Sequence, residues 1–313
     1  MGQTPVSPLI ALAGVIGGLA LLVLGADRVI DAAAELAVYL GVSPFVIGVS
    51  IVAVGTSLPE MVTSVIGAAY GAGDLVVGNI IGSELAQITL AIGAVAAIAP
   101  IAARRRQTLI YGGAMLLAMV IMLLVLTDGV ITRGEAVLML LAYAVFIRDL
   151  YGHTGGAEVV EATVEAPQRP REALPTIAIG VVAVAIGGHL FVTGAGTLAA
   201  VLGLTEGSIG LIAGVATTVP EILVAGMAAR GGETGISVGT LLGSNITDPV
   251  FSLGIGAVVR PVVIADPAVV QLQGAYLLGV SVLVIGLLYT QDAIGRRLGV
   301  LIAALYIPVV WLT

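Results

Sequence analysis

Residues 55–60 read Gly-Thr-Ser-Leu-Pro-Glu, and residues 216–221 read Ala-Thr-Thr-Val-Pro-Glu. Each stretch lies in a long apolar segment in its own half of the chain, and each is followed at the same distance by a Gly-Ser pair, at residues 82–83 and 243–244. A carboxylate in an apolar segment is costly to bury without a partner. Because this costly feature occurs twice in the same context, we expect the two segments to come together in the folded protein.

The composition of the chain identifies lipid as its solvent. Of the 313 residues, 59% are hydrophobic and 10% are charged, and the mean hydropathy is +1.16. A soluble domain does not need so much apolar surface, whereas roughly 20 apolar residues in a helix span a hydrocarbon core of about 30 Å. We therefore predict an all-α integral membrane protein with ten transmembrane helices. The predicted spans are residues 8–39, 43–69, 75–100, 107–126, 130–150, 174–201, 205–229, 236–258, 268–288 and 294–312.

Simple features exclude other kinds of segment and site. The apolar run from Pro8 to Gly25 has no basic residue before it and no cleavage signature, so we expect a first transmembrane helix and not a removed signal peptide. The chain has no cysteine, which excludes disulfides and thiolate metal sites. Its two histidines, His153 and His189, are not at metal-ligand spacing. We therefore expect no cofactor.

The chain divides into two related halves. Residues 1–150 contain the first copy of the motifs, within residues 43–100, and residues 174–313 contain the second, within residues 205–258. Between them, residues 151–173 are rich in glutamate and proline and are predicted to form a solvated cytoplasmic linker. Five spans per half is an odd number, so the second half must enter the membrane in the opposite sense. Inverted repeats of this kind usually place a substrate site near the membrane midplane.

The distribution of arginine predicts the orientation, since all twelve basic residues are arginine. With the N-terminus outside, only Arg133 and Arg260 fall in external connections, and Arg28 lies within the first span. The predicted cytoplasmic connections contain Arg104, Arg105, Arg106, Arg148, Arg169, Arg171, Arg230, Arg296 and Arg297. Because cytoplasmic loops carry an excess of basic residues, we predict a plasma-membrane protein with both termini extracellular. The same rule accounts for the run of three arginines better than nucleic-acid binding does.

The proline of each motif opens the helix backbone beside a glutamate. A proline inside a helix frees the carbonyl four residues earlier, which is that of Gly55 for Pro59 and of Ala216 for Pro220. In lipid, freed carbonyls are tolerated where they line a cavity or meet a cation. The hydroxyls within one turn of the glutamates are those of Thr56, Ser57, Thr217 and Thr218. Such oxygen clusters suit hard cations such as Ca²⁺ and Na⁺; a kinked helix bonding its own hydroxyls is the alternative.

The Gly-Ser segments supply a second helix for each half. Both have glycines four residues apart, a spacing that lets helices pack closely, and this would bring Ser83 and Ser244 toward the glutamates. One helical turn beyond these serines, on the same face, stand Gln87 and Asp248. The predicted carboxylates are Glu60, Glu221 and Asp248, with Gln87 as a neutral counterpart. The site residues of the second half are therefore expected to carry one more negative charge than those of the first half.

These motifs resemble those of the sodium/calcium exchanger family, prokaryotic type, within the calcium/cation antiporter superfamily, whose repeats carry GTSLPE followed by GNxxGS. The resemblance covers both copies and the ten-span plan, and so essentially the whole chain. It implies that Glu60 and Glu221 bridge Ca²⁺ centrally and serve Na⁺ during exchange, and that spans one and six slide across the other eight. The flanking ligands that it implies are the hydroxyls of Thr56, Ser57, Ser83, Thr217, Thr218 and Ser244 and backbone carbonyls near Ala53 and Gly214.

Three positions depart from the family pattern. Thr218 replaces a serine, which keeps the hydroxyl and adds a methyl group. Gln87 stands where sodium-coupled members usually have asparagine or aspartate; proton-coupled relatives tend to have glutamine in both halves, but Asp248 remains here. Glu84, next to Ser83, is expected to snorkel toward a membrane interface, with an additional ligand or a proton carrier as the alternatives.

We therefore expect a monomeric secondary transporter, not an enzyme, that exports Ca²⁺ against an inward Na⁺ gradient. Both ions would neutralise the same carboxylates, because a buried charge without compensation opposes a change of face. Exchange of Ca²⁺ for H⁺ is the first alternative. A remote one is an intramembrane aspartyl protease, since Asp74 ends a GxGD signature, but the chain has no Tyr-Asp dipeptide to supply the second aspartate. A non-catalytic helical scaffold would not need paired glutamates beside prolines.

Overall fold

Helices dominate the part of the chain that the structure describes. The computed structural model describes residues 7–40, 43–102, 105–153, 170–201, 215, 217–291 and 293–308. Its helices are α1 (Pro8–Leu40), α2 (Pro44–Thr56), α3 (Leu58–Tyr70), α4 (Gly73–Ile98), α5 (Arg105–Val125), α6 (Arg133–His153), α7 (Pro170–Val201), α8 (Val219–Arg230), α9 (Thr234–Val259), α10 (Pro267–Thr290) and α11 (Arg296–Ala304).

Six of the described helices, α1, α4, α5, α7, α9 and α10, contain a stretch long and apolar enough to cross a membrane. Helices α2 and α3 together form a seventh candidate span, bent by 44° at the break between them. The prediction of an all-helical membrane protein is therefore confirmed. The count of ten spans stays a prediction, since parts of the expected spans 205–229 and 294–312 lie outside the described residues.

The two helices that flank the predicted linker, residues 151–173, both extend into that range. Helix α6 continues to His153, and α7 begins at Pro170. A proline at the start of a helix is favourable, because its fixed φ suits the first turn and its missing N–H has no partner there. The residues between these helices lie outside the described part of the chain.

Two small antiparallel strand pairs, which the sequence did not predict, join connections that are distant in the chain. Strand β1 (Ile101–Ala102) pairs with β4 (Ala293–Ile294), and β2 (Val130–Ile131) pairs with β3 (Val262–Val263). Each pair links a connection in the first half of the chain to one in the second half. Because α5 lies between β1 and β2 and is 21 residues long, it rises about 30 Å, which places the two pairs at opposite ends of the molecule.

Helices α1 and α7 pack backbone to backbone. A Cβ atom on Gly25 would lie 2.7 Å from the carbonyl oxygen of Gly180, and one on Gly180 would lie 2.9 Å from that of Gly25. The same close approach recurs along the pair, where a Cβ on Gly187 would lie 2.8 Å from the Gly18 carbonyl oxygen and one on Gly194 would lie 2.6 Å from that of Ala11. Small residues permit such contacts between helices in lipid.

Helices α4 and α9, which contain the Gly-Ser segments, lie at the centre of the molecule. In each of them 78% of the most apolar window is buried inside the protein, against 31% for α1. Residues of α4 and α9 pack with residues of α5, α6 and α10 in one apolar core, which includes Ile88, Met119 and Leu253. The predicted site residues on α4 and α9 are therefore held in the interior.

The two arginines predicted outside bind helix ends. Arg133 donates from Nε to the Val258 carbonyl at 3.1 Å and from Nη2 to the Val259 carbonyl at 2.9 Å, at the end of α9. Arg260 donates from Nη1 to the Ala69 carbonyl at 3.2 Å, at the end of α3. A cation at a helix C-terminus satisfies carbonyls that have no partner within the helix and complements the helix dipole.

Asp74, the aspartate of the GxGD sequence, belongs to the same end of the molecule. Its side chain is exposed, and its Oδ1 accepts a hydrogen bond of 2.9 Å from the backbone N–H of Ala265. The residue thus fixes the connection that follows β3 to the start of α4.

Candidate functional site

Each Pro-Glu motif starts a new helix. Pro59 lies in the first turn of α3 and Pro220 in the first turn of α8, where a missing N–H costs no hydrogen bond. The residues before these turns have closely similar backbone angles, with φ −77° and ψ 6° for Ser57 and φ −80° and ψ −9° for Thr218. The glutamate of each motif therefore stands in the first turn of a helix, where the helix dipole favours a negative charge.

Glu60 and Glu221 are sealed from solvent. Both side chains are 0% exposed, and none of their four carboxylate oxygens has a hydrogen-bond partner among the described residues. Their charges repel each other, and both interact with the charge of Asp248. Burial of carboxylates that accept no hydrogen bond is costly unless a positive charge neutralises them.

The threonines of the motifs face the glutamate of the opposite half. Thr217 lies beside Glu60, and Thr56 lies beside Glu221. Neither hydroxyl reaches hydrogen-bond geometry with the carboxylate oxygens. Each glutamate thus has a hydroxyl oxygen of the opposite half beside it, and hard cations bind oxygen atoms of this kind.

Other predicted hydroxyls also meet across the halves. The Oγ1 atom of Thr56 lies 3.4 Å from the Oγ of Ser244 and donates to the Ala53 carbonyl at 3.2 Å. The same carbonyl accepts the Ser57 N–H at 3.0 Å, and the buried Ser57 hydroxyl faces Asp248. In the remaining predicted ligands, Ser83 donates to the Ile80 carbonyl at 3.0 Å, Thr218 is buried, and Gly214 lies outside the described residues.

The glycines of α9 pack against the helix that leads to Glu60. A Cβ on Gly243 would lie 2.6 Å from the Val49 carbonyl oxygen and 2.7 Å from the Cβ of Ala53. One on Gly239 would lie 2.5 Å from the Phe45 carbonyl oxygen. The predicted close packing is therefore present in the second Gly-Ser segment, and it joins α9 to α2, the helix that precedes the Glu60 helix in the other half.

Asp248 differs from the two glutamates because protein donors already satisfy it. Its Oδ2 accepts a hydrogen bond of 3.1 Å from Nε2 of Gln87, and its Oδ1 accepts one of 2.8 Å from the Ser252 hydroxyl. All three side chains are 0% exposed. Gln87 and Asp248, predicted at equivalent positions, thus bind directly to each other.

Wide helical turns lie at these positions. The segments Gln87–Ala91 in α4 and Asp248–Ser252 in α9 are π-helical, as is Gly48–Val52 in α2, just before the first motif. Such turns are rare and often mark functional sites, because they break the regular i→i−4 bonding. The sequence carries no direct signal for them, and we did not predict them.

Glu84 does not reach a membrane interface, so the expectation that it snorkels is wrong. Its side chain is 0% exposed, and neither carboxylate oxygen has a hydrogen-bond partner among the described residues. Asp248, Glu60 and Glu221 lie near enough for their charges to act on it. Glu84 lies on α4, and most of this helix is buried inside the protein.

Four buried carboxylates thus lie in one region, but they do not gather around one point. Within the described residues, no three histidine, cysteine, aspartate or glutamate side chains stand close enough together to hold one metal ion. An ion at this site would therefore bind at most two carboxylates and take its other ligands from hydroxyls, amides or carbonyls. This donor set is typical of sites for alkali and alkaline-earth cations.

Two contacts that the sequence did not reveal support the site. Gly188 of α7 lies against both kink prolines, since a Cβ there would be 3.3 Å from Cγ of Pro220 and 3.7 Å from Cγ of Pro59. Tyr143 of α6 bonds Thr247 beside Asp248, with 3.2 Å between the two hydroxyl oxygens. Neither residue belongs to a repeated motif, so spacing alone offers no way to find it.

Comparison with known proteins gives consistent similarities over the whole length. A profile of the family described as sodium/calcium exchanger protein matches residues 10–150 and 173–313. The inner membrane protein YrbG of Escherichia coli (strain K12) is 32% identical, over 97% of this chain and 96% of that protein. The sodium/calcium exchanger MaX1 of Methanosarcina acetivorans is 26% identical, over 93% of this chain and 94% of that protein.

A solved structure extends the similarity to three dimensions. It is that of the sodium-calcium exchanger NCX_Mj, soaked with 10 mM Na⁺ and zero Ca²⁺, with a TM-score of 0.82 and 30% sequence identity. The match covers 97% of this chain and 99% of that one. The arrangement of helices is therefore shared as well as the motifs.

Proposed function

Since the chain belongs to the sodium/calcium exchanger family, as its motifs indicated, we propose that it exchanges Ca²⁺ for Na⁺ by alternating access at a site between Glu60 and Glu221. Family membership makes it a multi-pass membrane transporter of cations that include Ca²⁺. The choice of Na⁺ as counter-ion, the site residues and action as a monomer in the plasma membrane are parts of the proposal.

One observation carries the proposed site. The four carboxylate oxygens of Glu60 and Glu221 are fully buried and have no donor among the described residues. The arginines whose exposure is described are all exposed, and so none of them neutralises this charge. A transported cation is the species that would do so.

The physical rule for exchange follows from the cost of buried charge. With Ca²⁺ between the two glutamates, or with Na⁺ ions in its place, the carboxylates are compensated and the protein can change face. Without ions they would cross an apolar region uncompensated, at a cost of several kcal/mol per charge. The transition is therefore permitted only when ions are bound, and this couples the flow of one ion to that of the other.

The threonine and serine hydroxyls have a supporting role in this scheme. Those of Thr56 and Thr217 each lie beside the glutamate of the opposite half, and Thr56 also meets Ser244. As neutral oxygen ligands they would complete the coordination of a hard cation. Because each ion would then bind both halves, its release would be linked to their relative movement.

Proteoliposomes loaded with Ca²⁺ test the counter-ion directly. We expect an inward Na⁺ gradient alone to drive Ca²⁺ efflux, and a pH gradient alone to drive none. Efflux driven only by pH would replace Na⁺ with H⁺ in the proposal. Absence of efflux under both gradients would contradict exchange itself.

Substitution of the paired carboxylates tests the site. We expect Glu60→Gln or Glu221→Gln to abolish Ca²⁺ efflux, because the remaining glutamate cannot compensate a divalent ion alone. Glu35→Gln, which removes an exposed carboxylate of α1, serves as the control and should transport as the unmodified protein does. Normal efflux in both site variants would place the ion elsewhere.

A further inference from the structure

Helix α6 places one tyrosine hydroxyl against α2 and another against α9. Tyr151 lies 2.8 Å from the Ser50 hydroxyl of α2, and Tyr143 lies 3.2 Å from the Thr247 hydroxyl of α9. Ser50 lies within the π-helical segment of α2, and Thr247 directly precedes that of α9. Tyr143 also stacks on Phe251, with ring centroids 4.7 Å apart. One helix thus contacts a wide helical turn in each half, and the exchange scheme uses neither tyrosine.

The direction of these hydrogen bonds follows from the second bond of each helical hydroxyl. Ser50 donates to the Val46 carbonyl at 2.7 Å, and Thr247 donates to the Gly243 carbonyl at 2.8 Å. Because a hydroxyl has a single hydrogen, the tyrosine is the donor in both pairs. Each tyrosine therefore begins a chain of two hydrogen bonds that ends on a backbone carbonyl one helical turn earlier. Bonds linked in this way strengthen one another.

The two helices that receive these chains pack against each other through glycines. A Cβ on Gly48 of α2 would lie 2.7 Å from the Ile236 carbonyl oxygen of α9, and Gly239 and Gly243 make the close contacts described above. An interface of glycines lacks the large side chains that interlock as ridges and grooves. Its position along the helix axes therefore depends on contacts outside the interface. The tyrosines of α6 provide one such contact for each helix.

The position of α2 along α9 sets the spacing of two proposed ion ligands. Helix α2 ends at Thr56, α9 contains Ser244, and their hydroxyl oxygens lie 3.4 Å apart. Oxygen ligands lie about 2.3–2.6 Å from Ca²⁺. A slip by the rise of one helical residue, about 1.5 Å, would therefore take one of the two hydroxyls out of reach of the ion.

We propose that Tyr143 and Tyr151 are positioning residues, which hold α2 and α9 in the register that ion binding requires. The inference rests on the proposed exchange function and adds to it two residues that do not contact the ion. Both hydroxyls project from the same helix, so together they fix α2 relative to α9. Loss of either one releases the register, and loss of the second then adds little.

Equilibrium binding of ⁴⁵Ca²⁺ to the purified full chain tests this role. We expect Tyr143→Phe and Tyr151→Phe each to weaken binding about fivefold, a loss typical of one hydrogen bond. The double variant should bind about as weakly as the single variants, because residues that act as one unit are not additive. In proteoliposomes, KM for Ca²⁺ should rise while the maximal rate of efflux stays nearly unchanged, since phenylalanine keeps the ring and removes only the hydroxyl.

A second set of variants shows whether the tyrosines act through the helical hydroxyls. In a Ser50→Ala background, Tyr151→Phe should cause no further loss of affinity. In a Thr247→Val background, the same is expected of Tyr143→Phe. Full additivity in both backgrounds would mean that the tyrosines affect binding by another route, and it would overturn the proposal.

Tyr276→Phe is the matched control. The Tyr276 hydroxyl of α10 donates to the Leu305 carbonyl, so this substitution also removes a tyrosine hydrogen bond, but one that reaches neither α2 nor α9. Its Ca²⁺ affinity should equal that of the unmodified chain. Unchanged affinity in the α6 variants, or an equal loss in Tyr276→Phe, would exclude a positioning role. Absence of Ca²⁺ binding by the unmodified chain would contradict the proposed ion site, and this inference with it.

Discussion

Hydrogen-bond donors divide the four buried carboxylates into two kinds. Asp248 accepts hydrogen bonds from Gln87 and Ser252, whereas Glu60, Glu221 and Glu84 have no donor among the described residues. A carboxylate with two donors tolerates burial as an anion far better than one without. Asp248 is therefore stabilised as an anion by the protein itself, whereas the three glutamates depend on a bound cation for compensation.

The Ser252 hydroxyl tests this division. A hydrogen bond to a charged group contributes about 1.5–3 kcal/mol, so we expect Ser252→Ala to lower the melting temperature of the ion-free protein. Addition of Na⁺ or Ca²⁺ should recover much of the loss, because the ions reduce the uncompensated charge that Asp248 faces. Thermal unfolding in detergent, with and without ions, measures both effects.

Ser281→Ala provides a matched control for that experiment. Ser281 of α10 is also 0% exposed, but its hydroxyl has no partner among the described residues. Its removal should leave the melting temperature unchanged or slightly raised, since a buried hydroxyl without a partner carries a desolvation cost. Equal effects of the two substitutions would mean that the bond to Asp248 contributes nothing.

At the scale of residues, the motifs identified most of the side chains that meet at the site but not their partners. Repetition marked Glu60, Glu221 and Asp248, because each stands at a fixed distance from a proline or a Gly-Ser pair. Their burial follows from apolar surroundings that the sequence displays. The prediction for Glu84 was wrong because the neighbouring residues in the sequence do not distinguish a position at a membrane interface from one in the protein interior. Only the packed helices decide between the two.

The kink of each motif helix is supported from a third helix. Gly188 of α7 lies between Pro59 and Pro220, so the two Pro-Glu turns have a common neighbour. Helix α7 also packs tightly along α1 through their glycines. A change in the position of α7 would therefore act on both Pro-Glu turns, and on their glutamates, at the same time.

A large side chain at Gly188 should hinder this arrangement. We expect Gly188→Leu to slow exchange about tenfold or more, because overpacking costs about 1–3 kcal/mol and about 1.4 kcal/mol corresponds to a tenfold rate. Gly188→Ala should be tolerated, since its Cβ would be no closer than 3.3 Å to Pro220. Initial rates of Ca²⁺ efflux report the difference.

Gly17→Leu is the control for the added volume. Gly17 lies on α1, and no described heavy atom would lie within 4 Å of a Cβ there. Its rate should match that of the unmodified protein. If Gly188→Leu and Gly17→Leu transport equally well, contact with the prolines has no part in the change of face.

Elements were predictable where hydrophobicity alone defines them. The long apolar runs gave helices close to their observed bounds, because lipid requires every backbone group to bond within the helix. The π-helical turns and the two strand pairs escaped prediction. Both arise from tertiary contacts, and segments of two to five residues carry too little sequence signal to reveal them.

The two strand pairs give the whole molecule two distinct ends. Arg133 and Arg260 lie near the β2–β3 pair, whereas Arg105, Arg296 and Arg297 lie near the β1–β4 pair. The β1–β4 end, which has more of these arginines, is the one predicted to face the cytoplasm. The strand pairs therefore offer positions at which the orientation can be measured.

Single cysteines at exposed alanines test the orientation, and the native chain has no cysteine to interfere. The positions are Ala265, just after β3, and Ala102 and Ala293, in β1 and β4. In intact cells, we expect a membrane-impermeant maleimide to label Ala265→Cys and to leave Ala102→Cys and Ala293→Cys unlabelled until the membrane is permeabilised. The opposite pattern would reverse the predicted topology.

The order of carboxylate and amide is exchanged between α4 and α9, with Glu84 before an amide in one and Asp248 after an amide in the other, and this makes the transporter polar. If the halves are inverted copies, a residue directly after Ser83 and one four residues after Ser244 lie at different distances from the midplane. Glu84 and Asp248 then present different fields to ions that enter from the two compartments. We therefore expect ions to enter the site at different rates from the two sides, while the ion gradients alone set the net direction of exchange.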